Sequence, residues 1–406
     1  MNHSYLTHSI LKIIDASFNR FREELQLTVE IVQGELPQAG DYIYLKEKTY
    51  SVHAYPIVSI KKPMFKRNYS VKIYFFSSEY LWKDIQEYWR ETGDKNVYCG
   101  ISPDKYDSLN IATKKQYIQS MIDLLGAGRL KGFLKDNMDT ALKLIRKRVD
   151  KNTTGLSKIG GLPDLPPDLE FPKDENGTSC LFAGQIHLAE FKEYFQPARA
   201  IDANGIIYFF ASIDLDDEDY PAFGDLCVRY SDSTENLSKK ELPEDLDSWG
   251  IFKEYDLYVV EEINLPSQDL TKLMLGEISE EENDTYDHIH CIMLELNHHY
   301  TGKLFGYPEP VQTCVFMEAE LAEKKLLWYG KAPYKDEDVE AVFRKLAPEI
   351  SQWKLLYQFN AYEFDKLSGY KKEFNRYNEG TYYVVIKQSD LNEKRFHKAV
   401  TIYQTT

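Results

Sequence analysis

The sequence predicts an α+β protein. A mostly antiparallel β-sheet body over residues 156–406 follows a smaller domain of helices and a small sheet over residues 1–150. Three observations carry this. Residues 157–185, SKIGGLPDLPPDLEFPKDENGTSCLFAGQ, combine Gly160-Gly161 with Pro163, Pro166, Pro167 and Pro172. Glycine frees the backbone for positive φ, while proline fixes φ and removes a donor, so this stretch takes an extended path and is not helix. Short β-branched and aromatic runs bounded by turn residues recur along the chain. Aromatic residues make up 14% of it, with 30 tyrosines, a composition that suits strands and interaction surfaces.

The elements follow in order. Leu6, Ile10, Ile13, Ile14, Phe18, Phe21 and Leu25 recur at three- and four-residue spacing, which predicts an amphipathic helix. Residues 29–32 lead into the turn signal Leu36-Pro37-Gln38-Ala39-Gly40-Asp41, and three strands follow over 42–45, 50–60 and 69–76. Their close spacing predicts a small curled antiparallel sheet, an SH3-like barrel. Ser77 and Ser78 are placed to cap a helix through Tyr80, Leu81, Ile85, Tyr88 and Trp89. Thr113 and Gln116 fit a capping box before Ile118, Met121, Ile122 and Leu125. A further helix is expected over 138–149, ending on Arg146-Lys147-Arg148, where cations complement its dipole. The polar run 151–155 reads as the linker between domains.

The body contains an internal echo. Leu181-Phe182-Ala183-Gly184-Gln185-Ile186 resembles Lys354-Leu355-Leu356-Tyr357-Gln358-Phe359. Glycine-led aromatic strands begin 20 residues after the first glutamine, at Gly205, and 22 after the second, at Gly380. The natural reading is a pseudo-duplication, two related half-sheets in one body. Between them, the acidic runs 214–219 and 277–287 read as solvated loops, because like charges repel.

Four segments carry a family resemblance. They are the 157–185 stretch, Gly306-Tyr307-Pro308-Glu309-Pro310-Val311-Gln312, the run WKLLYQF at 353–359, and residues 380–396 with Ser389-Asp390-Leu391 and Arg395-Phe396. In this order they resemble the YwqG-like family, a bacterial domain of unknown function, from residue 156 to the C-terminus. The resemblance implies the body's fold but no established activity, and some relatives occur in toxin–immunity neighbourhoods. Many relatives carry a histidine four residues before the Gly-Tyr-Pro glycine. That place is Gly302 here, so no such role carries over.

Charge is uneven. Residues 1–150 hold 23 Lys and Arg against 18 Asp and Glu, or +5, and the remainder holds 26 against 47, or −21. The acidic part should repel nucleic acid and steer a basic partner towards it. The plainer reading is that this charge keeps the protein soluble. Cys99, Cys180, Cys227, Cys291 and Cys314 are odd in number and form no CxxC pair, so neither a disulfide framework nor a cysteine zinc site is expected. No basic-then-apolar leader and no apolar run near ~20 residues is present. The expected compartment is the cytoplasm.

The common catalytic signatures (Gly-x-Ser-x-Gly, a Walker loop, HExxH) are absent. Gly126-Ala127-Gly128 with Gly132 misses the dinucleotide spacing and follows an apparent helix rather than a strand. His288, His290, His298 and His299 cluster around Glu295. On a strand His288 and His290 would share one face, but no carboxylate or cysteine stands at matching zinc spacing. The run 214–219 lacks the alternation and the glycine of a calcium loop. No metal or cofactor is expected.

Gln185, Gln312 and Gln358 sit in apolar contexts and need hydrogen-bond partners. Either they line a shared pocket or peptide-binding cleft, or they satisfy backbone groups of the proline-rich crossing segments. The second is favoured, since prolines leave carbonyls without a matching donor row. Asp390 and Arg395 read as a helix cap and a structural ion pair. Lys61, Lys62, Lys66 and Arg67 around Pro63 read as a structural loop before a nucleic-acid site. The function expected is therefore a non-catalytic protein-binding module. One form of it is an immunity-type protein that neutralises a basic toxin. The alternative is a small-molecule binder or enzyme with its pocket between the two glutamine-bearing strands.

Overall fold

A computed structural model describes residues 8–19, 23–46, 52–62, 68–74, 79–148, 154–194, 204–214, 222–246, 252–297, 302–326, 345–360 and 380–405. It is α+β, with two compact units. One comprises Met1–Met138 with Glu277–His298, and the other Asp139–Gly276 with His299–Thr406. The chain therefore passes from one unit to the other three times.

In the N-terminal unit six strands close a barrel: β1 (Ser9–Asn19), β2 (Glu24–Gly34), β3 (Tyr42–Lys46), β4 (Val52–Lys61), β5 (Tyr69–Tyr74) and β6 (Asn96–Gly100). The order is β1-β2-β5-β4-β3-β6, which leaves no open edge. Of the helix read over 6–25, Leu6 and Phe21 lie outside the described residues, and the described part is β1 and the start of β2, paired antiparallel. Ser9, Leu11 and Ile13 are buried at every second position, and this period of two overrides the three-and-four spacing read from the same residues. Trp82, Ile85, Tyr88 and Trp89 of α1 (Glu79–Thr92) share a core with the barrel interior. Ser77 and Ser78 lie outside the described residues.

Three further helices follow: α2 (Pro103–Asp107), α3 (Ile111–Leu125) and α4 (Gly128–Asp136). The cap of α3 is Asn110, whose side chain accepts from Thr113 N at 2.9 Å, rather than the Thr113/Gln116 box.

Two helices come from the middle of the acidic half, α5 (Gln268–Leu275) and α6 (Glu280–Leu296). The run 277–287, read as a loop, is in fact mostly the first turns of α6, where Glu280, Glu281 and Glu282 meet the positive end of the helix dipole. The capping box lies here, between Ser279 and Glu282. Glu282 also accepts from Arg129 N at 2.7 Å and Leu130 N at 3.2 Å, so it caps α4 as well. These bonds, that to Ser279 foremost, hold its carboxyl below the usual range. Glu282 thus occupies the amides of Arg129 and Leu130, next to Gly128.

The C-terminal unit is built on a ten-stranded sheet. Its strands are β7 (Asp139–Arg148), β8 (Lys158–Ile159), β10 (Leu181–His187), β11 (Ile206–Asp214), β12 (Ala222–Ser231), β14 (Tyr255–Asn264), β15 (Gly302–Leu304), β16 (Trp353–Asn360), β17 (Gly380–Lys387) and β18 (Val400–Thr405). Two further short strands among the described residues, β9 (Asp164–Leu165) and β13 (Ser238–Lys239), pair with each other. The helix expected over 138–149 is the strand β7. Leu142 and Leu144 enter the core on alternate residues, and the strand pairs with β14 on one side and β15 on the other.

The order β12-β11-β10-β8-β14-β7-β15-β16-β17-β18 reads as two five-strand halves about the β14–β7 pair. In chain order, β7-β8-β10-β11-β12 corresponds to β14-β15-β16-β17-β18. In space the first strand of each set is exchanged: β14 pairs with β8, and β7 with β15. Ladder irregularities fall at matching places, between Phe182 and Gly184 and between Leu355 and Tyr357. The expected duplication is present, and it is intertwined.

The two end strands approach each other. Thr401 Oγ1 donates to Leu226 O at 3.1 Å, and Tyr230 packs on Phe396 with ring centroids 4.7 Å apart. The sheet is therefore curled, and its inner face is filled by residues of both halves, including Leu144, Ile159, Phe209, Tyr357 and Val384. The outer faces are covered separately. Phe182, Tyr208 and Phe210 pack with Leu165 and Cys180, while Leu355, Tyr383 and Val385 pack with α5 and with α7 (Val315–Glu323).

Candidate functional site

The residues singled out by sequence gather at two equivalent places. Each begins on a lysine at the second strand of a set. Lys158 opens KIGGLPD, residues 158–164, and Lys303 opens KLFGYPE, residues 303–309. After each strand the chain turns through two residues of positive φ: Gly160 (67°) and Gly161 (70°) in one, Phe305 (63°) and Gly306 (69°) in the other. A proline follows, Pro163 or Pro308, and then an acid.

Close approach as well as φ requires glycine here. A Cβ on Gly160 would lie 2.4 Å from Lys253 O, and one on Gly306 would lie 2.9 Å from the Ala141 Cβ. Phe305 tolerates its φ because its ring is 5% exposed in the core. Backbone strain of about 1–3 kcal/mol is outweighed by burial worth about 3–5 kcal/mol on truncation.

The same four side chains then close each turn. Lys158 Nζ meets Asp164 Oδ2 at 2.8 Å, and Lys303 Nζ meets Glu309 Oε1 at 2.7 Å. Gln185 Oε1 accepts from Asp164 N, and Gln358 Oε1 accepts from Glu309 N, both at 3.0 Å. Tyr208 donates to Asp164 O at 2.9 Å, and Tyr383 donates to Glu309 O at 2.6 Å. Burial raises both tyrosine pKa values, so the hydroxyls remain donors. In register, Gln185 stands opposite Lys158 and Gln358 opposite Lys303.

These clamps fasten the proline-rich crossings over the sheet's outer face. They are not alike in every contact. Asp164 Oδ2 also accepts from Gly155 N and Gln185 Nε2, and Lys158 lies 3.4 Å from Glu254, which pairs with Lys239. Beside the second clamp, Tyr307 N donates to Asn264 Oδ1.

Among the described residues Gln185 and Gln358 do not come together. β8, β14, β7 and β15 lie between β10 and β16, and each glutamine serves its own crossing. Gln312 is exposed and donates to Thr405 O at 2.6 Å. A glutamine the sequence reading missed does the corresponding buried work. Gln404 is 1% exposed, accepts from Val311 N and Gln312 N, and donates to Thr313 O.

Asp390 pairs with Arg395 at 2.7 Å as expected, but it is not the cap. It lies inside α8 (Gln388–Asn392), whose N-cap position is Lys387. Gly302 is pressed against Gln358 O, where a Cβ would sit at 2.7 Å, so no side chain fits there. His288 and His290 lie on α6, not on a strand, and a helix turns them roughly 200° apart. His290 stacks on Tyr286 at 5.7 Å. His298, His299 and residues 215–219 fall outside the described residues. Among the described residues no group of three or more His, Cys, Asp or Glu side chains could hold a metal ion, and no helix is long and apolar enough to cross a membrane.

Several exposed carboxylates lie away from the clamps. Asp168, Glu170 and Glu175 follow the first clamp, and Glu241 and Glu244 follow β13; none has a hydrogen-bond or ion-pair partner among the described residues. The two segments are tied together by Lys240 N donating to Pro163 O at 3.0 Å and Ser179 N to Asp245 Oδ2 at 2.8 Å. Lys173 and Lys240 offset part of this charge.

A family model described as "Domain of unknown function (DUF1963)" matches residues 157–405. A search of curated proteins found no match.

Proposed function

The chain belongs to the DUF1963 family, and we infer that its C-terminal unit is a non-catalytic scaffold that holds a basic protein. One observation carries this reading. The distinctive motif residues are consumed in fastening the fold, while five carboxylates on the first crossing and its neighbour stand exposed and unpaired. Unpaired surface charge accelerates encounter with an opposite charge, and the effect falls with salt. The resemblance to YwqG-like proteins, some found beside toxin genes, makes a basic toxin one partner of this kind. The five cysteines are free thiols, which fits work in a reducing cytoplasm.

The test uses cytochrome c, a small basic protein, as the probe. The full chain should bind it at low salt and release it at high salt. The triple variant Glu170→Lys, Glu241→Lys, Glu244→Lys should lose at least about tenfold in affinity, about 1.4 kcal/mol. Equal binding by the variant would contradict the reading.

A further inference from the structure

We propose that the first clamp is a self-crosslinking site, where the Lys158 amine condenses with the Asp164 carboxyl and the resulting isopeptide bond fixes the first crossing covalently to the sheet. The reaction needs nothing beyond this chain and does not depend on any partner of the acidic face.

Lys158 Nζ stands 2.8 Å from Asp164 Oδ2, one C–O bond short of the carbon it attacks. The lysine is 3% exposed and the aspartate 0%. The residues that follow them, Ile159 and Leu165, are buried in the cores on the two faces of the sheet. Water, which drives amide formation backwards in solution, is kept from the pair. Holding the two groups in contact gives them a high effective concentration. Burial also makes two charges costly, and condensation removes both.

The two carboxyl oxygens are held differently, which sets the pair apart from an ordinary ion pair. Oδ2 accepts from Gly155 N at 3.0 Å and from Gln185 Nε2 at 3.1 Å. Oδ1 is buried too, yet has no hydrogen-bond partner among the described residues. When Nζ adds to Cγ, the developing charge falls on Oδ2, where the two N–H donors stabilise it. Oδ1 is then the oxygen free to take protons and leave. Glu254 Oε2, 3.4 Å from Nζ, carries protons away from the amine. The ammonium brings three protons. Nζ keeps one as the N–C bond forms, the Cγ–Oδ1 bond breaks, and Oδ1 departs with the other two as water. Glu254 ends as it began, and no electrons change hands.

The second clamp supplies the control. Glu309 is 20% exposed, so water reaches its carboxyl and its pair with Lys303 should stay ionic.

Mass spectrometry of the purified full chain tests the proposal. The intact protein should be lighter than its sequence by one water. Trypsin cuts only after an unmodified lysine, so residues 152–173 should emerge as a single peptide that is short of one water. Cleavage after Lys303 should be normal. Lys158→Arg and Asp164→Ala should each have the full mass of their sequences. Glu254→Gln should leave most of the freshly purified chain uncrosslinked, and complete crosslinking in that variant would remove Glu254 from the reaction. A wild-type chain that is folded by near-UV circular dichroism, has its full sequence mass and is cut after Lys158 would overturn the proposal. Binding of cytochrome c is read separately, so the two readings fail separately.

Discussion

A chain beginning at residue 156 should not fold, although it contains the whole family match. It lacks β7, which lies in the middle of the ten-stranded sheet and is hydrogen-bonded on both sides. Its removal leaves β14 and β15 with open edges inside the sheet and takes Leu142 and Leu144, both fully buried, out of the shared core. Each buried leucine is worth about 2–5 kcal/mol on truncation to alanine, and whole-domain stability is only about 5–15 kcal/mol. The loss is large enough to unfold the unit. The exchanged topology sharpens this, because β7 belongs by chain order to one half but completes the other. Near-UV circular dichroism and chemical unfolding should show a cooperative transition for residues 139–406 and none for 156–406. A cooperative, equally stable 156–406 fragment would refute the strand exchange.

The second large effect is expected at the first clamp. Lys158 is 3% exposed and Asp164 is fully buried, so Lys158→Ala strands a carboxylate in the interior. Removing one partner of a buried pair costs about 3–5 kcal/mol, whereas replacing both by apolar groups of similar volume is often neutral. The double variant Lys158→Met, Asp164→Leu should therefore be more stable than Lys158→Ala alone. Its recovery should be incomplete, since Gly155 N and Gln185 Nε2 lose their acceptor. Lys173→Ala on the same exposed segment should stay within about 0.5 kcal/mol of wild type. Urea midpoints for the three variants decide the matter.

Much of this architecture is visible in the residues. The glutamine echo located β10 and β16, the glycine-led runs located β11 and β17, and the prolines marked the crossings. The sharper repeat, Lys158 to Asp164 against Lys303 to Glu309, escaped notice for two reasons. One of its glycines is Phe305, and the lysines lie 145 residues apart while the glutamines lie 173 apart, so the spacing is not constant. β1 and β7 read as helices from sequence because Ile and Leu alternating with charged residues also satisfy a helical period over so short a run. Their strand partners are set by distant segments, which local periodicity does not report. His288 stands on a helix rather than a strand. Its surroundings depend on α6 packing in the N-terminal unit, and no local pattern reports that.

The choice between structural clamps and a functional centre comes down to binding by two full-length variants. One replaces the second clamp by apolar groups, Lys303→Met with Glu309→Leu. The other reverses the exposed charges at Glu170, Glu241 and Glu244. If the motif serves only the fold, the first variant keeps its hold on the basic probe and the second loses it. Loss in the first, still folded, with retention in the second would mean that the repeated lysine–acid pairs are themselves where the protein does its work.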